Sequence, residues 1–326
     1  MQAIQVDHFG GPEVLVPVEV PDPIAEPGQA IVEVAAADVL FLDAVIRYGL
    51  AADFFPLRPP YVPGTGVAGT VTSVGPVDDA SWIGRRVVAN TGASGGSGGY
   101  VQQAAVAIGD LVPVPDGLGL FEAAALLHDG ATAMGLVESF PIESGEWVLV
   151  VGASGGLGAI LIQLARAAGG RVIGAARGQA KLELAREIGA DLVVDDSDPD
   201  WAKAVIEATK GHGADLVFDN VGGSIGLAAF ESIATGGRFS GHGAAAGMFT
   251  AIDPSEAERL EVTVRGIEQV QFSPTDSVRL ATKALAAAAE GLIRPVIGQT
   301  FPLEQAADAH RAIEARTVIA KTLLVT

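Results

Sequence analysis

Seven consecutive residues, Gly152-Ala153-Ser154-Gly155-Gly156-Leu157-Gly158, concentrate the chemistry available to this chain. They follow the apolar run Trp147-Val148-Leu149-Val150-Val151 and open a segment with helical periodicity. In that context glycines permit a tight turn, bring backbone amides against a pyrophosphate and let strand and helix pack closely, so the run reads as a dinucleotide-binding turn. The same residues also satisfy G-x-S-x-G, the nucleophile elbow of serine hydrolases, with Asp219 followed by His242 or His310 in the order an acid and a base require. Two features favour the dinucleotide. Gly158 supplies a third glycine that a hydrolase does not need, and a β-rich segment precedes the strand.

Cofactor preference is set at the end of the next strand, which reads Gly174-Ala175-Ala176-Arg177. No carboxylate stands there to grip ribose hydroxyls. Arg177, with Lys181 one helical turn later, offers two cations to a 2′-phosphate, and NADPH is the expected cofactor. The alternative is that both are ordinary surface cations.

These residues need elements to hold them. Up to residue 115 the chain consists of short runs rich in Val, Ile and Thr, such as Ile31-Val32-Glu33-Val34 and Arg86-Val87-Val88-Ala89, between turn signals such as Glu26-Pro27-Gly28. This spacing predicts a mostly antiparallel β module with one helix over 40–47 and a loop at 92–99. Beyond it the pattern alternates: helix 120–140, strand 147–151, helix 158–168, strand 171–175, helix 179–188, strand 192–194, helix 199–210, strand 214–218 and a last strand at 262–267. Short apolar strands alternating with amphipathic helices indicate an α/β fold whose parallel sheet is covered on both faces. A helix over 278–290, a second over 303–315 inside a strand pair, and a closing strand at 321–325 complete the pattern. The closing strand is expected to return to the β module. An exposed strand at 262–267 would pair with a copy of itself, which predicts a homodimer.

Composition excludes several classes. The 326 residues carry a formal net charge of −19, which argues against a nucleic-acid partner or an anionic membrane surface. The sequence contains no cysteine, so disulfides, thiol nucleophiles and cysteine-ligated metals are excluded. The five histidines, His8, His128, His212, His242 and His310, lack the close pairings that ligand sites use. The opening residues 1–8 have neither a basic nor an apolar leader segment, so a cytoplasmic protein is expected.

The sequence resembles the zeta-crystallin and quinone oxidoreductase branch of the medium-chain dehydrogenases/reductases. The matching residues include Gly145-Glu146, Leu149, Ala153-Ser154-Gly155-Gly156, Gly158, Gln163 and Arg166. Further matches are Pro60-Tyr61-Val62-Pro63-Gly64, Val114-Pro115-Asp116-Gly117-Leu118, Phe218-Asp219-Asn220-Val221-Gly222-Gly223 and Phe301-Pro302-Leu303-Glu304-Gln305-Ala306. The resemblance implies a GroES-like, mostly β catalytic domain from residues 1–120 and 273–326, a central Rossmann doubly wound parallel sheet over 121–272, and a zinc-independent enzyme. It places Thr132 near the nicotinamide, although a helix-interior threonine bonding its own backbone reads the same way. It places Arg316 near the 2′-phosphate, and Asn220, His242 and His128 on segments facing the cofactor. Asp196 stands where relatives tend to carry a tyrosine near the adenine.

Three positions depart from that pattern. Leu40 replaces an Asn, Ala51 a Tyr, and Gly66 an Asp, which removes polar groups from the usual substrate site and implies an enlarged, apolar pocket. The expected activity is reduction of a quinone or α,β-unsaturated ketone with a large apolar body; a relative with altered chemistry, such as a cyclase, isomerase or regulator, is the alternative. Reduction leaves an oxyanion that must be stabilised and protonated. Tyr48, His128 and water are the candidates, with water the expected proton source and the two side chains supplying shape.

Overall fold

The computed structural model describes residues 1–50, 56–91 and 98–326, so Ala51 and residues 92–97 of the expected loop lie outside the described residues. The chain divides into two units: Met1–His128 with Pro274–Ala289 and Pro295–Thr326, and Asp129–Ser273 with Glu290–Arg294.

The first unit opens with an antiparallel pair, β1 (Gln2–Val6) and β2 (Leu15–Glu19). It continues through β3 (Gln29–Val39), α1 (Phe41–Arg47), β4 (Gly66–Val74), β5 (Arg86–Asn90), β6 (Gln103–Ala107), β7 (Leu111–Pro113) and α2 (Leu120–Leu127). β3 pairs antiparallel with both β4 and β6. Helix α2 buries Ala123, Ala124, Leu126 and Leu127 and packs on β3, β4 and β5. It therefore belongs with the β module, and the unit runs to His128, beyond the domain boundary at 120 that the resemblance implies.

The second unit begins with α3 (Asp129–Ser139), so the helix expected over 120–140 is two helices. It proceeds through β8 (Trp147–Val151), α4 (Gly156–Ala167), β9 (Arg171–Ala176), α5 (Gln179–Glu187), β10 (Leu192–Asp195), α6 (Trp201–Ala208), β11 (Ala214–Asp219), α7 (Gly223–Glu231), β12 (Ile233–Gly241), α8 (Pro254–Arg259) and β13 (Thr263–Arg265). Among the described residues the strands form one parallel sheet in the order β10-β9-β8-β11-β12-β13. In chain order this is 3-2-1-4-5-6, the doubly wound Rossmann arrangement, with the direction of winding reversing between β8 and β11. The central strand β8 is buried on both faces from Val148 to Val151, which is why it reads as a continuous apolar run. β12 escapes sequence reading because Thr235-Gly236-Gly237-Arg238 interrupts its apolar residues; Gly236 takes φ 78° where the pairing with β11 shifts register. The edge strand expected at 262–267 shrinks to three exposed residues.

The chain then returns to the first unit through α9 (Pro274–Ala289), β14 (Ile297–Pro302), α10 (Ala306–Glu314) and β15 (Lys321–Val325). Residues 290–294 stay with the second unit because Gln163 on α4 clamps them: its Oε1 accepts from the Arg294 amide at 2.8 Å and its Nε2 donates to the Arg294 carbonyl at 3.0 Å. β15 runs parallel to β14 and antiparallel to β3, so it lies inside the sheet β14-β15-β3-β4-β5-β7. Val32, Val34, Val67, Val71, Tyr100 and Leu324 form the heart of this unit's core.

Candidate active site

The turn between β8 and α4 has the geometry the sequence suggests. Gly152 takes φ 70°, in the left-handed region that favours glycine. A Cβ on Gly158 would fall on the Gly152 carbonyl oxygen and stand 3.0 Å from the Ala153 Cα, so only glycine lets helix and strand approach this closely. Gly155 caps α4 without a side-chain hydrogen bond, which leaves the first N–H groups of a twelve-residue helix directed at any anion placed there.

A directed hydrogen-bond chain crosses the switch point. Asn220, just after β11, donates from Nδ2 to the Val151 carbonyl at 2.6 Å. Its Oδ1 can only accept, so His242 Nε2 donates to it at 2.7 Å, and the Ser240 hydroxyl donates to His242 Nδ1 at 2.8 Å. Burial pushes the His242 imidazole down to about 4, which keeps it neutral and fixes this tautomer. The chain orients the Asn220 amide at the carboxyl end of the sheet. Ser240, which no motif flagged, anchors it.

This arrangement removes the hydrolase alternative. Both nitrogens of His242 have partners, and His310 bonds Arg47 and Tyr100 in the first unit. The Asp219 carboxylate accepts from the Val221 and Gly222 amides, both at 2.9 Å, and from Thr250. None of these bonds leads to Ser154.

Arg177 and Lys181 stand at the end of β9 and in the first turn of α5. Asp196 closes on Arg177, with its Oδ1 3.6 Å from Nε, while the Arg177 side chain remains 64% exposed. Burial raises the Asp196 carboxyl above its ordinary range, partly offset by the charge of Arg177. Thr132 is half-buried on α3. Arg316 belongs to the first unit, exposed after α10 with φ 55°.

In the first unit the two candidate proton donors answer to different partners. Tyr48 donates to Glu314 Oε2 at 3.1 Å and lies under the Arg47 guanidinium, 4.5 Å from its ring centroid. Arg47 is fully buried and also bonds Glu314 at 2.5 Å and His310 Nδ1 at 2.9 Å. Because arginine only donates, His310 Nε2 donates onward to Tyr100 at 3.1 Å, and Tyr100 to Asp43 Oδ2 at 3.1 Å. Burial holds His310 down at about 3, helped by Arg47, and lifts Asp43 to about 6. His128 instead faces Asp38 on β3, with its Nδ1 2.8 Å from Oδ2, and Lys321 on β15 lies 3.3 Å from the same oxygen. Asp38 and Lys321 are 1% and 4% exposed, whereas His128 is 25% exposed. Sequence reading missed both buried charges, although a lone Asp in Ala35-Ala36-Ala37-Asp38-Val39 and a Lys opening an apolar strand were visible signals.

Comparison with known proteins matches the alcohol dehydrogenase GroES-like domain over residues 26–116 and the zinc-binding dehydrogenase family over 156–285. Mouse quinone oxidoreductase is 31% identical over 96% of this chain and 94% of its own. The chain belongs to the zinc-independent quinone oxidoreductase family of medium-chain dehydrogenases/reductases. A Burkholderia 2-haloacrylate reductase is 30% identical over 100% and 99% of the two chains. Escherichia coli quinone oxidoreductase complexed with NADPH superposes with a TM-score of 0.91 at 26% identity, covering 100% of both chains. Zinc, which one matching family is named for, finds no fitting donors: the sequence has no cysteine, and among the described residues no three His, Asp or Glu side chains converge.

Against the family pattern, the departure at Gly66 has a physical reason. A Cβ there would lie 2.5 Å from Leu127 Cδ2, 2.7 Å from His128 Cε1 and 2.9 Å from Asp38 Oδ1. The space beside Gly66 is filled by Leu127 and the His128–Asp38 pair, which corrects the expectation that this position enlarges the pocket. Leu40 donates its amide to Asp43 Oδ2 at 2.9 Å, so its backbone still organises the start of α1.

Proposed function

We propose that this chain is an NADPH-dependent reductase of a quinone or an α,β-unsaturated ketone with an apolar body. The observation that carries the reading is the glycine turn 152–158, whose close strand–helix contact and uncapped helix fit a pyrophosphate at the point where the sheet reverses its winding. The likeness to oxidoreductases, one of them complexed with NADPH, supports it. Bound NADPH would supply the hydride. In this reading the amides of Gly152, Ala153, Ser154, Gly155, Gly156, Leu157 and Gly158 line the pyrophosphate. Arg177, Lys181 and Arg316 receive the 2′-phosphate, which displaces Asp196 from Arg177. Thr132, Asn220 and His242 organise the nicotinamide side, and Tyr48 and His128 serve the acceptor.

The test is NADPH oxidation, measured against a panel of quinones and enones, with one acceptor reduced per NADPH consumed. NADPH binding without oxidation would favour the second reading, a cofactor-binding relative with altered chemistry, which the apolar Leu40 motivates. We also propose that the protein acts in the cytoplasm as a two-fold dimer. Among the described residues β13 pairs with β12 alone and its residues are exposed, which supports self-pairing at that edge. A monomeric mass by light scattering at micromolar concentration would contradict the dimer.

A further inference from the structure

The buried pair Asp38–Lys321 presses on a histidine that reaches solvent. Both donors, His128 Nδ1 and Lys321 Nζ, converge on Asp38 Oδ2, while Oδ1 is buried with no partner. A carboxylate only accepts, so Nδ1 carries a hydrogen and Nε2 is the nitrogen that gains and loses a proton. Gly66 sits against the ring at a distance no larger residue allows, which fixes the ring plane. The polar groups missing at positions 40 and 66 are thus replaced by one polar group presented from α2's end.

We propose that His128 is the acid that protonates the reduced acceptor, and that Asp38, kept ionised by Lys321, is its positioning residue. This rests on the reductase reading above, and it replaces water as the proton source that the sequence suggests. In the step, the Nε2–H bond breaks and its electron pair returns to the ring, while the proton joins the acceptor oxygen left anionic by reduction. His128 becomes neutral and takes one proton from solvent before the next turnover, which matches the single proton that two-electron reduction by NADPH consumes. The electrostatics agree. Burial alone would lower the His128 imidazole, but the charge and hydrogen bond of Asp38 outweigh it, and the net shift is upward. Lys321 opposes that rise and Asp43 on α1 adds to it; among the described residues these three are the leading charges on the ring. For Asp38, burial pushes upward, but His128 and Lys321 outweigh it and hold the carboxyl below its ordinary range.

The experiment pairs kinetics with a titration that needs no turnover. His128→Ala is expected to lower kcat about 10²-fold with NADPH affinity intact, and added imidazole should restore activity saturably, as a merely structural role would not allow. Asp38→Asn should move the alkaline limb of the kcat profile down by about one pH unit or more. The imidazole resonance of His128 in the ligand-free protein should shift by the same amount. If Asp38→Asn leaves too little folded protein, Asp38→Asn with Lys321→Met removes the stranded cation and serves instead. A kcat within about threefold of the parent in His128→Ala, or an unmoved His128 titration in the Asp38 variant, overturns the proposal. Should the parent enzyme oxidise no NADPH with any acceptor, the reductase reading falls and takes the acid role with it; the titration still decides whether Asp38 governs the ring.

Discussion

His242 ties the cofactor turn to the pH dependence of stability. Its folded value of about 4 lies below the roughly 6.5 of an unfolded histidine, because a proton on Nδ1 would bury a charge and turn the Ser240 hydroxyl away. On acidification the unfolded chain therefore binds a proton that the folded chain refuses. Stability is fully present above pH 6.5, falls as the pH drops below it, and stops falling near pH 4. At about 1.36 kcal/mol per pH unit, the full window corresponds to about 3 kcal/mol, of which about 2 kcal/mol is lost between pH 7 and pH 5. Other groups titrate over the same range, so the informative quantity is a double difference. Urea unfolding of the parent and of His242→Gln, at pH 7 and at pH 5, should show the parent losing about 2 kcal/mol more than the variant. Parallel losses in both proteins, within about 0.5 kcal/mol, would refute a buried neutral His242 and the directed chain to Asn220.

Other consequences are equally open to measurement. Arg177→Ala with Lys181→Ala should weaken NADPH by about 1.5–3 kcal/mol per lost charged bond while sparing NADH, and equal losses for the two cofactors in a fluorescence titration would contradict the assignment. Asp196→Asn should tighten NADPH severalfold by freeing Arg177 from its 3.6 Å neighbour; a looser complex would mean that Asp196 holds Arg177 in place. Gly158→Ala should cost about 1–3 kcal/mol in denaturant unfolding and impair NADPH binding, since its Cβ meets the Gly152–Ala153 backbone. Glu314→Ala strands the fully buried Arg47 and should lower stability by about 3 kcal/mol or more, whereas a neutral result would show that the guanidinium escapes to solvent.

The parts of the fold that follow one physical rule were legible in the sequence. β8, β9 and β11 are buried on both faces and read as apolar runs; the turn 152–158 was visible because the positive φ of Gly152 and the backbone contact at Gly158 call for glycine. β12 was not legible, since its bulge at Gly236 places Gly-Gly-Arg in the middle of a strand. The glycine turn and the Arg177–Lys181 pair each lie within a short stretch of chain, which makes their patterns local. Asp38, His128 and Lys321 are brought together from three distant segments by strand pairing and by α2, and no spacing in the sequence encodes that meeting. The Arg47 cluster is similar: His310 and Glu314 reach Arg47 only through the docking of α10 on α1, and His310 then links it to Tyr100 and Asp43.

The interior position of β15 also sets an order of events during synthesis. Residues 321–325 leave the ribosome only after the whole of the second unit, which is continuous from Asp129 to Ser273 and needs beyond that only the short return at Glu290–Arg294. β3, by contrast, emerges early; β6 pairs the first half of one edge, but Ala36, Ala37, Asp38 and Val39 on that edge must wait until β15 arrives beside them. Lys321 travels on that late strand, so until the chain is nearly finished Asp38 has only His128 as a cationic neighbour. A buried carboxylate short of counter-charge is unfavourable, and the half-made first unit therefore carries a penalty that the arriving strand relieves. The ion pair thereby ties completion of the sheet to readiness of His128: in a nascent or truncated chain that lacks β15, His128 alone is left to hold Asp38 ionised.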